Sequence, residues 1–270
     1  MPQDLQDKRI ILTGASGGIG KALALALAAQ GAKLGLVARN TALLESLVTQ
    51  VKQSGGHAIA ITTDITRPEQ HAEIIGSMQA HFGGTDILIN NAGIMQFTDF
   101  SEHSPESIIS TINTNVTAPI LLTHAVVAGM KKQGTGHIVN VGSIFGSIGF
   151  AYYAAYSASK FALRGFSEAL RRELAETDIN VTYVAPRAVR TPLNSEAVYK
   201  MADKVKMKFD EPIFVAAKIV DAIVNKNQDV YIGFPESFFV RLNAILPRRV
   251  DAALRKQNIV MQNYACKPGN

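Results

Sequence analysis

Apolar runs of strand length return seven times along this 270-residue chain, at 9–13, 33–38, 58–63, 86–90, 137–142, 180–185 and 229–233. Antiparallel neighbours need only a tight turn, whereas the intervals here, such as 19–30, 41–53, 68–82 and 157–176, have helical patterns and the length of crossover helices. Strands joined in this way run parallel, and a parallel sheet must be covered on both faces. The pattern therefore predicts an α/β chain: a Rossmann-like, doubly wound parallel sheet of about seven strands with helices on both faces. Gly31 stands where a left-handed cap would end the first helix, and Pro68 fits the first turn of the third. No Pro/Gly/Ser-rich linker interrupts the alternation, so 1–270 reads as a single domain with its core at about 8–233.

Composition narrows the class. With 47% hydrophobic and 18% charged residues the chain has material for a packed core, which excludes disorder as its main state. One cysteine, Cys266, excludes an intramolecular disulfide framework and a multi-cysteine zinc site, and it fits a reducing cytoplasm. The six histidines are scattered without ligand spacing, so no metal is expected. The opening MPQDLQDKR lacks the apolar stretch of a signal peptide, and no window reaches the ~18 apolar residues of a membrane span. A soluble, cytoplasmic protein is the expectation. The formal net charge is +5, but the basic residues are dispersed, so nucleic acid is not an expected partner.

Two regions fit the alternation poorly. The segment at about 187–212 carries Met201, Met207 and Phe209 among lysines and acids, and reads as a mobile substrate segment or short helices over a cleft. The extension at 234–270 reads as a broken amphipathic helix: Phe238, Phe239, Leu242, Ile245 and Leu246 fall at near-helical spacing, Pro247 interrupts, and Val250, Ala253 and Leu254 resume. Its apolar face has three open readings: a cover over the active site, a dimer contact, or a membrane-surface contact with Arg241, Arg248, Arg249 and Arg255 near lipid phosphates. Packing within the protein is the first expectation, since an amphipathic stripe usually faces a core.

Chemistry concentrates where strands end. Thr13-Gly14-Ala15-Ser16-Gly17-Gly18-Ile19-Gly20 joins the first strand to the first helix, where unpartnered N–H groups and the helix dipole favour an anion such as a pyrophosphate. Glycine serves there because the turn is tight and a Cβ would hold the phosphate away. A P-loop fails at Ala15 and at Ala22, and a structural turn alone remains the plain alternative. The second strand ends Val37-Ala38-Arg39-Asn40; with no carboxylate for a ribose 2′-hydroxyl and a guanidinium able to grip a phosphate, NADP(H) is favoured over NAD(H). Tyr156 and Lys160 stand four residues apart on one helix face, where a fixed cation would stabilise phenolate and let the phenol exchange protons. Ser143 closes the fifth strand at the carboxyl edge, where its hydroxyl can donate to a carbonyl oxygen.

These elements, in this order, resemble the classical short-chain dehydrogenase/reductase family over about residues 8–233: TGASGGIG at 13–20, Asp64, Asn90-Asn91-Ala92-Gly93, Asn115, Ser143 and YSASK at 156–160. The resemblance implies that Ser143 polarises a carbonyl, Tyr156 is the general acid in reduction, and Lys160 binds the nicotinamide ribose and lowers the tyrosine pKa. It implies that Asn115 holds the helix geometry and a water that carries protons onward from Lys160. Gly14, Ser16, Gly17, Gly18, Ile19 and Gly20 would line the diphosphate, with Arg39 and Asn40 near the ribose. Asp64 and Ile65 would meet the adenine, Asn91, Ala92 and Gly93 the cofactor floor, and Pro186 and Thr191 the carboxamide. Dimers or tetramers built on the long helices flanking the fifth strand are the family habit.

Two positions depart from the family pattern. Gly142 replaces a common serine, and Arg187 replaces the glycine that usually follows Pro186. Arg187 has two open readings, a buried ion pair or a cation that faces the cleft and selects an anionic substrate or contacts the cofactor diphosphate. The expected activity is NADP(H)-dependent interconversion of a carbonyl and a secondary alcohol, on an apolar or acyl-like substrate. A nucleotide-sensing protein of the same fold and a membrane-associated lipid-pathway reductase are the alternatives.

Overall fold

A computed structural model describes residues 5–265, so Cys266 lies outside the described residues. The strands are β1 (Arg9–Thr13), β2 (Lys33–Ala38), β3 (His57–Thr62), β4 (Ile87–Asn90), β5 (Gly136–Val141), β6 (Ile179–Pro186) and β7 (Asp229–Ile232). They form one sheet in the order β3-β2-β1-β4-β5-β6-β7, with each neighbouring pair parallel. The expected strands are all present, displaced by at most a residue at most ends. The crossovers are α1 (Gly18–Ala29), α2 (Thr41–Gln53), α3 (His71–Phe82), α4 (Pro105–Ile112), α5 (Ala118–Gln133), α6 (Ala154–Glu173), α7 (Glu196–Val205) and α8 (Pro212–Val224). Pro68 opens a short 3-10 turn that leads into α3 rather than opening α3 itself, and Gly31 takes the left-handed conformation just beyond the α1 cap.

Alternation along the strands divides the core in two. Ile10 and Leu12 of β1 face α1 and α8, packing with Leu23, Leu27, Val215 and Ile219, while Ile11 faces the other side with Met78, Leu122 and Val126 of α3 and α5. The central strands β4 and β5 are buried along their whole length. At roughly 25 cal/mol per Å² of apolar area, this two-sided burial is the main stabilising term. A polar thread crosses the core: Asn90 donates to Asn140 Oδ1 at 2.9 Å and to Thr123 Oγ1 at 3.1 Å, and Asn140 donates to Ser167 Oγ at 2.8 Å. Asn90 of the Asn-Asn-Ala-Gly run is thereby a structural residue that ties β4 to β5 and to the helices behind them.

The two poorly fitting regions meet. The 187–212 segment contains α7, and the extension forms α9 (Glu236–Ile245) and α10 (Pro247–Gln262), separated at the expected proline. Met261 of α10 is buried against Val198 and Met201 of α7, so part of the tail packs within the protein and braces the wall of the cleft. Arg187 joins these pieces. Its guanidinium donates to both carboxylate oxygens of Asp210, at 3.0 and 2.7 Å, to Glu236 at 3.2 Å and to Phe234 O at 3.1 Å. The ion pair is therefore present, and the same side chain also lines the cavity at the ends of the strands.

Gly142 has an equally local cause. A Cβ there would land inside the Tyr183 ring, whose hydroxyl donates to Ser143 O at 3.1 Å. The fully buried tyrosine thus occupies the space that a second serine would need. Gly142→Ala should lower stability by about 1–3 kcal/mol in urea unfolding, because it overpacks this contact. Adding Tyr183→Leu should recover part of that loss, and strictly additive losses would refute the contact.

Candidate active site

The strand order reverses between β1 and β4, and crevices open at such a point beyond the carboxyl ends of the strands. β1 delivers the glycine-rich turn to it. Gly14 has φ +64, and an added Cβ would lie 2.7 Å from Ala92 Cα; Gly18 has φ +52. Both positions disfavour a side chain by conformation, and Gly14 excludes one by space as well. The N-cap of α1 is Gly17, with no side-chain cap and no acid in the first turn, which leaves the N-terminal amide groups and the helix dipole to an anion. The turn is held from behind: Asn91 donates to Thr13 O at 3.0 Å and Gly14 O at 3.2 Å, while the Thr13 hydroxyl accepts from the N–H groups of Asn91 and Ala92. The side chain of Asn91 therefore fixes the glycine turn from behind.

From this turn a groove of about 700 Å³ runs along Ser16, Gly17, Gly18 and Ile19 to Arg39 and Asn40, and past Asp64, Ile65, Ala92 and Gly93 to Thr191. Its far end fits a nucleotide. Thr63 Oγ1 is buried there without a hydrogen-bond partner among the described residues, an orphan that a polar ring edge would satisfy. Burial pushes the Asp64 carboxyl up, but hydrogen bonds from Thr66, aided by Arg39 and Arg67, outweigh it and hold the group below the usual range as an anionic acceptor. Arg39 is exposed at the rim, and the Asn40 side chain caps α2 by accepting from Leu43 N at 3.0 Å.

At the other end the groove meets a smaller cavity of about 120 Å³ lined by Ser143, Tyr156, Lys160, Gly93, Pro186, Arg187 and Thr191. β5 ends at Val141, and Ser143 caps the short turn that follows, its Oγ accepting from Phe145 N at 3.1 Å. Tyr156 and Lys160 lie on the first turns of α6, one turn apart as the spacing requires. Both are buried. Burial pushes the phenol up to about 12, against a downward pull from its hydrogen bond with Ser143, and pushes the Lys160 ammonium down to about 8. Lys160 Nζ donates to Val141 O at 3.1 Å and lies 5.7 Å from the Tyr156 ring centre. The sequence predicted a phenol lowered by its neighbouring cation; in the structure burial raises the phenol, and the opposing downward pull comes from its hydrogen bond with Ser143.

Asn115 sits in the π-helical turn at 113–117 that joins α4 to α5. Its amide clamps the loop after β4, accepting from Ile94 N at 2.9 Å and donating to Ile94 O at 2.9 Å. It also donates to Ser159 Oγ at 3.0 Å, and Ser159 donates to Tyr156 O at 2.7 Å. Ser159 was missed by the sequence reasoning, although it stands inside YSASK. The aromatic wall was missed too: Phe145 meets Tyr156 edge-on at 5.7 Å and Tyr153 at 5.0 Å, and Tyr153 stacks on Phe97 at 4.9 Å. Periodicity could not find these rings, because they come from two separate connections, after β4 and after β5, and a helix start.

The comparisons agree with this geometry. The sequence profile of short chain dehydrogenases matches residues 8–202. The chain is 32% identical to the uncharacterized oxidoreductase YxnA of Bacillus subtilis, over 98% of this chain and 76% of that protein. It is 36% identical to the ketoacyl reductase HetN of Nostoc sp., over 85% of this chain and 79% of that protein. Against dehydrogenase/reductase SDR family member 7B of Bos taurus it is 32% identical, over 88% and 77% respectively. A crystal structure of a short-chain dehydrogenase from Streptomyces avermitilis superposes with a TM-score of 0.79 at 30% identity, covering 95% of this chain and 98% of that one. A matched profile over most of the core, on a sheet of this order with this cleft, places the chain in the short-chain dehydrogenase/reductase family of oxidoreductases.

Proposed function

We propose that the protein is an NADP(H)-dependent reductase that interconverts an apolar carbonyl compound and its secondary alcohol. The carrying observation is that Ser143, Tyr156 and Lys160 converge on one buried cavity where the glycine-rich groove ends. When bound, the reduced nicotinamide supplies the hydride. The protein's own groups deal with the oxygen: the Ser143 hydroxyl and the Tyr156 phenol both donate toward the position where negative charge develops, and the phenol surrenders its proton there. Lys160 restores it from the adjoining turn, with Asn115 holding the backbone around both. Arg39 is the group that favours a 2′-phosphate, since no acid stands at the end of β2.

Phe145, Tyr153, Met95 and Val198 around the cavity favour an apolar substrate, in keeping with the name of the Nostoc ketoacyl reductase. The nucleotide-sensing alternative has no use for a proton donor buried beside an ammonium. Association of subunits is assigned to α5 and α6, where Phe161 is an exposed large apolar side chain.

Tyr156→Phe should lower kcat for carbonyl reduction by about 10²–10⁴-fold while leaving NADPH affinity in place; unchanged turnover would remove the proposed donor. Arg39→Ala should weaken NADPH by about 10–100-fold, the worth of a charge-assisted hydrogen bond, and leave NADH unaltered; equal losses for both would reassign the residue. Because the phenol stays protonated up to about 12 and the Lys160 ammonium unloads near 8, reduction should be level below pH 8 and fall above it, with the opposite trend for alcohol oxidation. A reduction rate that climbs through pH 8 would contradict this. Arg187→Ala strands the buried carboxylate of Asp210 and should cost about 3–5 kcal/mol in stability, with equal kinetic losses on anionic and neutral carbonyls.

A further inference from the structure

We propose that the outward face of α9, with the turn into α10, docks on an anionic phospholipid surface. The inward face of α9 is already engaged: Val240 is buried, Asn243 donates to Ser147 O at 2.9 Å, and Glu236 meets Arg187 at 3.2 Å. Positions 238, 241 and 245 fall on the opposite side at three- and four-residue spacing. Among the described residues, five of the thirteen exposed large hydrophobic side chains lie within 234–246, namely Phe234, Phe238, Phe239, Ile245 and Leu246. That is a patch rather than the single exposed residues normal on a surface. It is held out on a helix whose other side is anchored, so it cannot fold inward.

The charges among these residues choose the occupant. Arg241, Arg248 and Arg249 are exposed between and beside the apolar positions. The acids within 234–256 are Glu236, turned inward to Arg187, and Asp251, which pairs with Arg248 at 3.2 Å. A second copy seated on this face across a two-fold axis would bring the same arginines opposite one another as they lose water, without acids to meet them. Phospholipid headgroups of negative charge meet them directly, at about 1 kcal/mol per basic residue near such a surface. A ten-residue helix is too short to span a bilayer, and an apolar face flanked by arginines is the pattern of a helix that lies in the interface. Arg187 lines the catalytic cleft and holds the start of α9, so docking seats the cleft beside the bilayer, where apolar carbonyl compounds partition. That last consequence rests on the reductase reading; the docking does not.

The test is flotation of the full chain with vesicles of phosphatidylcholine, with and without phosphatidylglycerol. Binding is expected on the vesicles containing phosphatidylglycerol and should weaken as salt is added. Phe238→Ser with Ile245→Ser should reduce it by about tenfold or more, and Arg241→Gln or Arg249→Gln by about fivefold each, with thermal unfolding and turnover of a water-soluble carbonyl unchanged. Failure of the wild-type chain to float with either vesicle, or equal flotation of wild type and the Phe238/Ile245 variant, overturns the proposal. So does a lipid-free solution mass that drops in that variant, which assigns the face to a second copy. Because turnover is measured on a soluble carbonyl in the same preparations, failure of docking and failure of the reductase reading are separate results.

Discussion

The point where β1 lies beside β4 rather than beside a strand next to it in sequence governs this molecule. Chains leaving β1 and β4 turn to opposite faces of the sheet, so their carboxyl ends part and leave a crevice that no crossover fills. Everything with chemical consequence then stands on that edge: the glycine turn after β1, Asn91 after β4, Ser143 after β5 and Pro186 at the end of β6. The crevice is kept open by hydrogen bonds that look minor singly. Thr13, Asn91 and Gly14 lock the two sides together, and the Asn90–Asn140–Ser167 thread holds β4 and β5 in register deeper in. Such groups are costly if left unpaired in a core, and their mutual satisfaction makes the edge rigid.

Much of this was legible in the sequence because the fold is written with a period. Strands buried on both faces read as continuous apolar runs, and crossovers read as longer stretches with a 3.6-residue stripe; that the strands run parallel follows from those connections, whereas their order in the sheet does not. The glycine turn and the Tyr156–Lys160 spacing were legible as short local patterns, and their placement at strand ends beside Ser143 is what gave them a shared meaning. Arg187 was not. An arginine after Pro186 carries equal promise of a ligand or of an ion pair until Asp210, more than twenty residues on, is seen to reach it. Gly142 likewise made no sense beside Ser143 alone, since its cause is Tyr183, a ring arriving from a neighbouring strand. Long-range complementarity of this kind leaves no periodic trace.

The tail shows how one segment divides between two surroundings. α10 turns Met261 onto Met201 and Val198, so the helix over the cleft is braced by residues that a minimal core would lack. α9 keeps only a narrow inward face, and its remaining apolar side chains stay in water. Pro247 permits that division. Its ring cannot continue α9, so the chain changes direction and the two apolar stripes point to different places. The sequence pattern, a single interrupted stripe, could not show which part served which purpose.

The buried pair at the cleft carries the last step. A phenol and an ammonium placed together in water would each sit near their ordinary values, and burial moves both toward their neutral forms, the tyrosine upward and the lysine downward. That direction suits proton donation. A donor that resists ionisation stays loaded until negative charge forms on an oxygen beside it, and an ammonium already inclined to give up its proton is the natural source of the replacement. Ser143 limits how far the phenol can rise, by a hydrogen bond that favours phenolate, and Ser143 is itself held by Phe145 N and Tyr183. The Ser143 that faces Tyr156 is therefore anchored through its backbone by a ring packed against Gly142. A residue that leaves the sequence pattern and a residue that defines it belong to one local balance.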